Sequence, residues 1–534
     1  MSRRVRAAAA IAYASPQAMI FRAPEPPVAI PEVALTPFLL ARAAARGDKP
    51  AFIDAATGRT LTYRAWAERV RGTASGLAAR GFGYRDVLAI YSANVLEYAV
   101  AFHAASLAGG AVTTINPLYT VDEVRQQLAD CGARFLVTMP SCAAKAVEAA
   151  RLSTVREVFV FGEAEGATPF GSLFDGRDPP VVPIDAREDL VALPYSSGTT
   201  GLPKGVMLTH YNLVANILQS AGVLALGESD IVLGVLPFFH IYGMVVVMNL
   251  SLHVGATVVI ISRFELESCL QAIEKYRVTF AAVVPPIVLA LAKNPVVAQY
   301  DLSGLRTLLS GAAPLGEAIA LTAARRFGCD VRQGYGLTEM SPVTHTARAG
   351  GAGQNLSTVG PPLANTEARI VDLTTGAELG ANEEGEICVR GPQMMKGYLN
   401  RPDATAAMIG ADGWLHTGDV GHADEHGRLF VVDRVKELIK YKGLQIAPAE
   451  LESVLLTHPS VADAAVIPMA DEEAGEVPKA FVVLKQQIDP GSLMGYLAER
   501  VAPYKKLKCV ELVDHIPRSP SGKVLRRVLM QRRD

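Results

Sequence analysis

Short runs rich in β-branched residues end in glycine-rich or polar turns along this chain, and a helical pattern follows each run. Three such pairs of strand and helix occupy residues 86–92 with 94–108, 256–262 with 265–276, and 306–310 with 316–327. Repeated strand–turn–helix units predict a layered α/β architecture with mainly parallel sheets.

Towards the carboxyl end the pattern changes twice. Around residues 385–390 and 427–432 the strands are short and the helical patterns disappear, which predicts a small β-barrel-like subdomain. After Asp433 and Arg434 the pattern starts again, with predicted strands at 438–442, 461–468 and 479–484 and predicted helices at 448–456 and 491–501. We therefore predict a large domain over 19–434, containing two α/β subdomains and the β-rich one, and a small mobile α+β domain over 435–534.

Two segments have patterns that resemble targeting or membrane signals. Residues 231–262 contain no charged residue and are long enough to span a bilayer, but prolines, glycines and histidines interrupt them. Buried strands and a helix are therefore predicted there, without a membrane span. The arginines and alanines of residues 1–18 resemble a weak signal peptide, and we predict a disordered extension with Met19 as an alternative start.

Composition narrows the class of protein. Among the 534 residues 50% are hydrophobic and 19% are charged, which excludes disorder and predicts large buried cores. A net charge of −2 disfavours nucleic-acid binding, although residues 500–534 hold ten Lys and Arg against three Asp and Glu. That basic tail is either a solvated surface or one that meets phosphates. The six cysteines form no C-x-x-C pair and suit a reducing, cytoplasmic setting.

The strongest local signal is Ser-Ser-Gly-Thr-Thr-Gly-Leu-Pro-Lys-Gly at residues 196–205. Glycines let the backbone turn tightly and point its N–H groups at an anion, and hydroxyls with a lysine complete a polyphosphate site. It is not a Walker A loop, because Gly-Lys-Ser/Thr does not follow at the required spacing. A flexible linker is the alternative, and the apolar segments on both sides disfavour it. The predicted phosphate residues are Ser196, Ser197, Gly198, Thr199, Thr200, Gly201 and Lys204.

This loop resembles the signature of the acyl-adenylate-forming superfamily, which includes acyl-CoA synthetases, aryl-CoA ligases, luciferases and nonribosomal adenylation domains. Further motifs continue the resemblance in order from about residue 20. Pro-Phe-Phe-His-Ile-Tyr at 237–242, Lys-Glu-Leu-Ile-Lys-Tyr-Lys-Gly at 436–443 and Val-Ala-Pro-Tyr-Lys at 501–505 look most like 4-coumarate–CoA ligases and their bacterial cinnamate relatives. The resemblance implies ATP-dependent activation of a carboxylic acid as its acyl-AMP, followed by transfer to coenzyme A, with Mg²⁺ as cofactor.

The resemblance also assigns the nucleotide residues. Tyr335 of Tyr-Gly-Leu-Thr-Glu would stack on adenine, Thr338 would bond the α-phosphate, and Glu339 would hold magnesium through a hard carboxylate oxygen. Asp419 of Thr-Gly-Asp would accept hydrogen bonds from both ribose hydroxyls, and Arg434 would contact the ribose as well. The implied nucleotide-binding positions outside the loop are Gln333, Gly334, Tyr335, Thr338, Asp419 and Arg434.

Two lysine-bearing segments would serve the two half-reactions. Lys523 ends Pro-Arg-Ser-Pro-Ser-Gly-Lys and resembles the adenylation lysine, a mobile cation between two reacting anions. The small domain of such ligases rotates between half-reactions, with Lys436 here as the hinge. Lys440 and Gln445 would then contact the acyl-adenylate, while Lys442 and Gly443 would lie along the CoA tunnel.

The acid would bind next to the Pro-Phe-Phe-His segment, where His240 is the implied orienter of the carboxylate and gate towards CoA. Arg263 would meet a CoA phosphate. The implied pocket consists of Tyr242, Gly243, Ser310, Gly311, Ala312, Gly334, Met340, Pro342 and Val343, whose small members leave a slot for a flat ring.

Several alternatives remain open at this point. A medium-chain fatty acid is the main one, because apolar pockets discriminate alkyl groups by only about 1–3 kcal/mol per methylene. Amino-acid adenylation is disfavoured, because the Pro-Phe-Phe-His segment has no aspartate to bind an α-ammonium group. Nothing in the sequence requires the oxygen chemistry of a luciferase. A non-catalytic nucleotide-binding regulator should have lost Lys523, Glu339 or Asp419, and all three are present. The expected partners are the acid, ATP and CoA, without nucleic acid, in a monomer or homodimer.

Overall fold

The computed structural model describes residues 19–196, 203–350, 355–442, 444–471, 473–519 and 522–531. The expectations for residues 1–18, for 197–201 of the phosphate loop and for Gly443 lie outside these ranges.

Two eight-stranded sheets form the large domain. In spatial order the first contains Gly397–Tyr398, Lys204–Thr209, Leu190–Ser196, Ala111–Ile115, Val87–Tyr91, Phe135–Thr138, Glu157–Val160 and Thr168–Pro169. The second contains Val343–Thr346, Asp330–Gly336, Thr307–Ser310, Phe280–Val283, Ile231–Gly234, Thr257–Ile260, Pro50–Asp54 and Thr60–Thr62. Inner strands pair parallel, as crossover helices between buried strands require, and so does the edge strand Thr168–Pro169. The other outer strands pair antiparallel.

Helices connect and cover these strands. They span Leu35–Arg46, Tyr63–Ala79, Leu96–Leu107, Val121–Cys131, Ala143–Arg151, His210–Leu224, Leu250–Val254, Leu266–Tyr276, Pro285–Lys293 and Glu317–Phe327. Leu88 of one sheet, Val232 of the other and Leu213 of a helix belong to a single buried core. The two sheets and the helices between them therefore form one packed body.

A five-stranded antiparallel sheet stands where the barrel-like subdomain is predicted. Its order is Phe21–Arg22, Glu367–Val371, Gly385–Arg390, Leu415–Ala423 and Leu429–Arg434. An added Cβ at Gly427, in the turn before the last strand, would lie 3.9 Å from Phe21 of the first strand, so the sheet curls and brings its two ends close together. The expectation that helices disappear here is wrong in one place, because Pro402–Met408 is helical; its proline starts the helix at the first turn, where a missing N–H costs nothing.

The small domain has its own sheet and core. Its strands are Leu444–Ile446, Ile439–Tyr441, Gly475–Leu484 and Val461–Asp471, with Cys509–Leu512 parallel to Gly475–Leu484. Its helices are Pro448–Thr457, Pro490–Ala498 and Arg526–Met530. The predicted boundary at 434/435 falls between strands of two different sheets and stays a prediction.

The long uncharged segment is buried, as predicted. It contributes Ile231–Gly234 and Thr257–Ile260 to the second sheet, and between them a π-helix, Gly243–Asn249, continues into Leu250–Val254. Within the described residues no helix is both long and apolar enough to cross a membrane.

Candidate functional site

The edges of the phosphate loop are held by a hairpin. Strands Leu190–Ser196 and Lys204–Thr209 pair antiparallel, with Lys204 opposite Ser196. The Nζ atom of Lys204 lies 4.9 Å from the ring centroid of Tyr398, and the Tyr398 hydroxyl donates to Oε1 of Glu339 at 2.8 Å. Tyr398 thus connects the loop lysine to the predicted magnesium carboxylate, which is itself buried.

The predicted ribose and adenine residues come together across two sheets. The Tyr335 hydroxyl donates to Oδ2 of Asp419 at 2.6 Å, and Nε of Arg434 lies 3.0 Å from Oδ1 of the same carboxylate. Burial, and then the charge of Asp419, raise the pKa of Tyr335 well above its usual value. Burial opposes the charge on Arg434, but the carboxylates led by Asp419 dominate and raise its pKa. Tyr335 therefore stays neutral and Arg434 stays charged.

Gln333 bonds backbone groups of two neighbouring segments, and Gly336 packs against the chain that follows the turn of Thr338 and Glu339. The Gln333 amide donates to the carbonyls of Leu315 and Leu356 at 3.1 and 2.6 Å, and accepts from the Leu315 N–H at 3.0 Å. Gly336 is required sterically, since an added Cβ would lie 2.1 Å from the Pro342 carbonyl oxygen. The structure thus engages Gln333 with backbone groups.

The lysine-bearing turn of the small domain reaches into the large domain. Lys523 N–H donates to Oγ of Ser519 at 3.2 Å, and Ser519 N–H donates to the Lys523 carbonyl at 2.8 Å. Gly522 packs so closely on the large domain that an added Cβ would lie 3.0 Å from Cγ2 of Val284.

Lys523 is half-buried among charges of both signs. Burial lowers the pKa of Lys523, and the positive charge of Arg434 acts in the same direction, whereas the carboxylates of Asp419 and Glu339 raise it. Each of these three groups lies close enough to act on the Lys523 charge, so Lys523 lies near Arg434, Asp419 and Glu339. A cation from the small domain therefore joins the nucleotide residues of the large one.

His240 lies close enough to Lys523 to feel its charge. Burial lowers the pKa of His240 to about 3, and the Lys523 charge adds to the effect. The Tyr242 N–H donates to Nδ1 of His240 at 3.3 Å, so the neutral ring carries its proton on Nε2. The segment is fixed by Asn94, whose amide accepts from the Phe238 N–H at 2.7 Å and donates to two carbonyls.

Most of the predicted pocket residues pack in the same core. The Tyr242 hydroxyl donates to the Leu309 carbonyl at 3.1 Å, and an added Cβ at Gly311 would lie 3.0 Å from Cε1 of Tyr242. Oγ of Ser310 is buried and has no hydrogen-bond partner among the described residues. Ala312 and Val343 pack with Tyr242 in the large core.

Met340 stands apart from that group. Its side chain packs in the core of the five-stranded antiparallel sheet, with Phe21 and Ile387, and not in the cluster of Tyr242 and Val343. Pro342, two residues further on, is buried and its carbonyl oxygen accepts from the Leu337 N–H at 3.1 Å. The side chain of Met340 therefore packs with a different group of residues from that around Tyr242, and its assignment to the acid pocket stays a prediction.

Apart from Gly443, which lies outside the described residues, the lysines, arginine and glutamine assigned to CoA transfer are exposed. Lys440 and Gln445 face each other in a hairpin of the small domain, and Lys442 pairs with Glu473 of the same domain. Lys436 and Arg263 are also exposed. The structure thus brings Lys523, and not Lys440, to the predicted nucleotide residues.

Three residues of the site belong to no motif that the sequence reveals. Asn94 and Tyr398 act through partners far along the chain, and Glu386 reaches the backbone behind Asp419. The sequence offers weak signals for them, since an asparagine after a buried strand and a glutamate within one are both common.

Domain arrangement and site geometry are those of a two-domain nucleotide-dependent enzyme, and the chain belongs to the AMP-binding enzyme family. Residues 39–399 match that family, and residues 450–523 match the AMP-binding enzyme C-terminal domain. Among its relatives, 4-coumarate–CoA ligase 5 of Oryza sativa subsp. japonica is 43% identical over 527 residues, covering 96% of this chain and 97% of the relative.

Solved structures share the fold. The anthranilate CoA ligase AuaEII in complex with anthranoyl-AMP aligns with a TM-score of 0.86 at 25% identity, over 93% of this chain and 97% of that one. ATP-bound MatB from Rhodopseudomonas palustris aligns with a TM-score of 0.83 at 30% identity, over 92% and 97%. A large amino-terminal and a small carboxyl-terminal domain are common to this group.

Proposed function

We propose that this chain is an ATP-dependent acid–CoA ligase that forms an acyl-AMP and then an acyl-CoA thioester, acting on cinnamate- or 4-coumarate-type acids. One observation carries the proposal: Lys523 enters a site that already holds Glu339, Asp419 and Arg434, next to a neutral His240. Relatives and structural neighbours that act on aryl acids support the choice of acid.

In the first half-reaction an oxygen of the acid carboxylate attacks the α-phosphorus of ATP, and the bond to pyrophosphate breaks. Two anions must approach each other while charge develops on the leaving group, so a fixed cation lowers the barrier. Lys523 is placed for this task. Asp419 and Arg434 hold the ribose, and His240 can donate from Nε2 to the carboxylate without adding a charge of its own.

Magnesium is expected at Glu339. The donor set fits a hard cation, because the carboxylate is buried and one of its oxygens already accepts from the neutral Tyr398 hydroxyl. The ion would supply charge compensation for the phosphates of ATP.

In the second half-reaction the CoA thiol sulfur attacks the acyl carbonyl carbon, and AMP leaves. Lys440, Lys442 and Gln445 are proposed for this step after rotation of the small domain about Lys436. Their exposure in the present arrangement agrees with a role in a different one.

The buried lining supports a flat apolar acid. Tyr242 donates its proton to the Leu309 carbonyl, so its oxygen can only accept from a phenol. That arrangement suits cinnamate, which has no phenol, and tolerates 4-coumarate, whose hydroxyl can donate. An alkyl chain fills the same apolar space, which keeps a medium-chain fatty acid as the second candidate.

A CoA-consumption assay across cinnamate, 4-coumarate, benzoate and medium-chain fatty acids tests the proposal. We expect AMP and pyrophosphate in equal amounts and the highest kcat/KM with a cinnamate-type acid. A clear preference for fatty acids would favour a medium-chain fatty acid as the substrate. A lack of acid-dependent pyrophosphate release with every acid would refute the ligase activity.

A further inference from the structure

Asp419 stands at the end of an irregular stretch of strand. Strand Leu415–Ala423 pairs with Gly385–Arg390, and the register shifts so that His416 faces Cys388 while Val420 faces Glu386. Residues 417–419 therefore bulge opposite a single residue of the neighbouring strand. Bulges commonly re-aim a side chain next to a functional site.

The bulge depends on backbone groups that the regular ladder no longer satisfies. Gly418 has φ of 69°, in the left-handed region that favours glycine. Oγ of Thr417 donates to the Ile387 carbonyl at 2.7 Å and accepts from the Asp419 N–H at 3.1 Å. The Gly418 N–H donates to Oε1 of Glu386 at 3.0 Å.

The second oxygen of Glu386 is held as well. Its Oε2 lies 2.9 Å from Nδ1 of His416, so one carboxylate joins both sides of the bulge. Burial, and then the Glu386 charge, raise the pKa of Cys388 to about 12, which makes the cysteine beside His416 a neutral thiol. The three side chains are close enough to suggest a metal site, but their bonds to one another and to Gly418 already account for the arrangement.

We propose that Glu386 is a positioning residue for nucleotide binding: its carboxylate fixes Gly418 and His416, and so aims the Asp419 carboxylate at the ribose hydroxyls. The inference rests on the proposed function, in which Asp419 accepts from the ribose. Glu386 acts through the bulge, because its two oxygens bond Gly418 and His416 while Tyr335 and Arg434 hold Asp419 from the other side.

A purely structural role for Glu386 would lower the stability of the sheet without changing which nucleotide is used. Positioning of Asp419 makes a different prediction. Loss of Glu386 should penalise ATP, whose ribose carries both hydroxyls, more than dideoxy-ATP, which has neither.

The test compares kcat/KM of acid-dependent pyrophosphate release with ATP and with dideoxy-ATP in Glu386→Ala. We expect the preference of the wild type for ATP to shrink about tenfold in the variant, with little change for dideoxy-ATP. Glu386→Gln keeps an acceptor for the Gly418 N–H and should restore most of the preference. Glu384→Ala, an exposed glutamate two residues away, is the matched control and should keep it in full.

The outcomes separate the two claims. If the wild type uses both nucleotides equally, the ribose role of Asp419 in the proposed function fails. If the wild type prefers ATP and Glu386→Ala prefers it equally, the inference is overturned. Should Glu386→Ala not fold, His416→Ala releases the second oxygen of Glu386, and an unchanged preference in that variant would overturn the inference as well.

Discussion

Lys523 is the residue on which the two domains meet chemically. It comes from a turn of the small domain; burial lowers its pKa, Arg434 of the large domain acts in the same direction, and Asp419 and Glu339 oppose both. Lys523 and Arg434 together form a pair of cations near the two carboxylates. The phosphates of ATP would bind favourably beside this pair, because they add negative charge next to both cations.

Removing this cation should separate the two half-reactions. We expect Lys523→Ala to slow acyl-AMP formation by about a hundredfold or more, the usual cost of losing one preorganised electrostatic partner. CoA transfer from synthetic acyl-AMP should stay near the wild-type rate, measured by thioester formation. Lys506→Ala, which removes an exposed lysine of the same basic tail, serves as control. Equal loss of both half-reactions would contradict separate roles.

For single residues, the sequence predicts a functional role only where the residue lies in a short motif. Tyr335, Asp419 and Lys523 could be selected because each lies in a motif with its own chemistry. Asn94 and Tyr398 could not, since their importance arises from bonds to Phe238 and Glu339 that only the folded chain creates.

The tight turn in residues 237–243 fixes the position of the His240 side chain. The chain turns back on itself before the π-helix Gly243–Asn249, and an added Cβ at Gly243 would lie 2.2 Å from the Pro237 carbonyl oxygen. Contact between backbone atoms leaves no flexible group to give way, so the residue must be glycine for His240 to keep its place.

Two glycine substitutions test this packing. Gly243→Ala should displace the turn, and we expect at least a tenfold loss of adenylation together with a lower Tm. Gly222→Ala, in the helix His210–Leu224 with open space around its added Cβ, should be neutral or stabilise by about 0.5–1 kcal/mol. Thermal unfolding and pyrophosphate release measure both effects. Full activity of Gly243→Ala would show that the turn can adapt.

At the element scale periodicity predicts most of the strands and helices. The strand predicted at 306–310 and the helix at 316–327 are found as Thr307–Ser310 and Glu317–Phe327. Short pieces escape the sequence: Arg526–Met530 is less than two turns long, and Cys509–Leu512 forms only because Gly475–Leu484 offers an open edge. The π-helix Gly243–Asn249 is 7 residues long, too short for its period to be distinguished from that of an α-helix.

Buried histidines make the whole molecule sensitive to acid. Burial lowers the pKa to about 3 in His103, His240 and His345 and to about 4 in His210 and His253. The unfolded chain, with histidine pKa of about 6.5, therefore binds more protons between about pH 4 and 6.5, and stability falls as the pH falls through this range.

We accordingly expect Tm to drop as the pH is lowered from about 7 to about 5, with each histidine contributing up to about 1.4 kcal/mol per pH unit. Calorimetry at several pH values measures the slope. His210→Gln should flatten it, whereas the exposed His426→Gln should not. A Tm independent of pH in this range would contradict neutral burial of the five rings.

An engineered disulfide can hold the two domains in their present arrangement. An added Cβ at Gly316 of the large domain would lie 3.5 Å from Cβ of Ser453 of the small domain, within the range of about 3.5–4.5 Å found in disulfides. Oxidised Gly316→Cys/Ser453→Cys should still form acyl-AMP but lose CoA transfer, and a reductant should restore it. Each single variant is a control. CoA transfer at full rate in the cross-linked enzyme would exclude rotation of the small domain.

Acyl-AMP can form only if the acid carboxylate attacks the α-phosphorus of ATP. Turnover with an acid whose carboxylate carries heavy oxygen tests it most directly, because mass spectrometry of the nucleotide shows which phosphorus was attacked. We expect one heavy oxygen in each AMP and none in pyrophosphate. Unlabelled AMP, or label in inorganic phosphate with ADP as the nucleotide product, would contradict it.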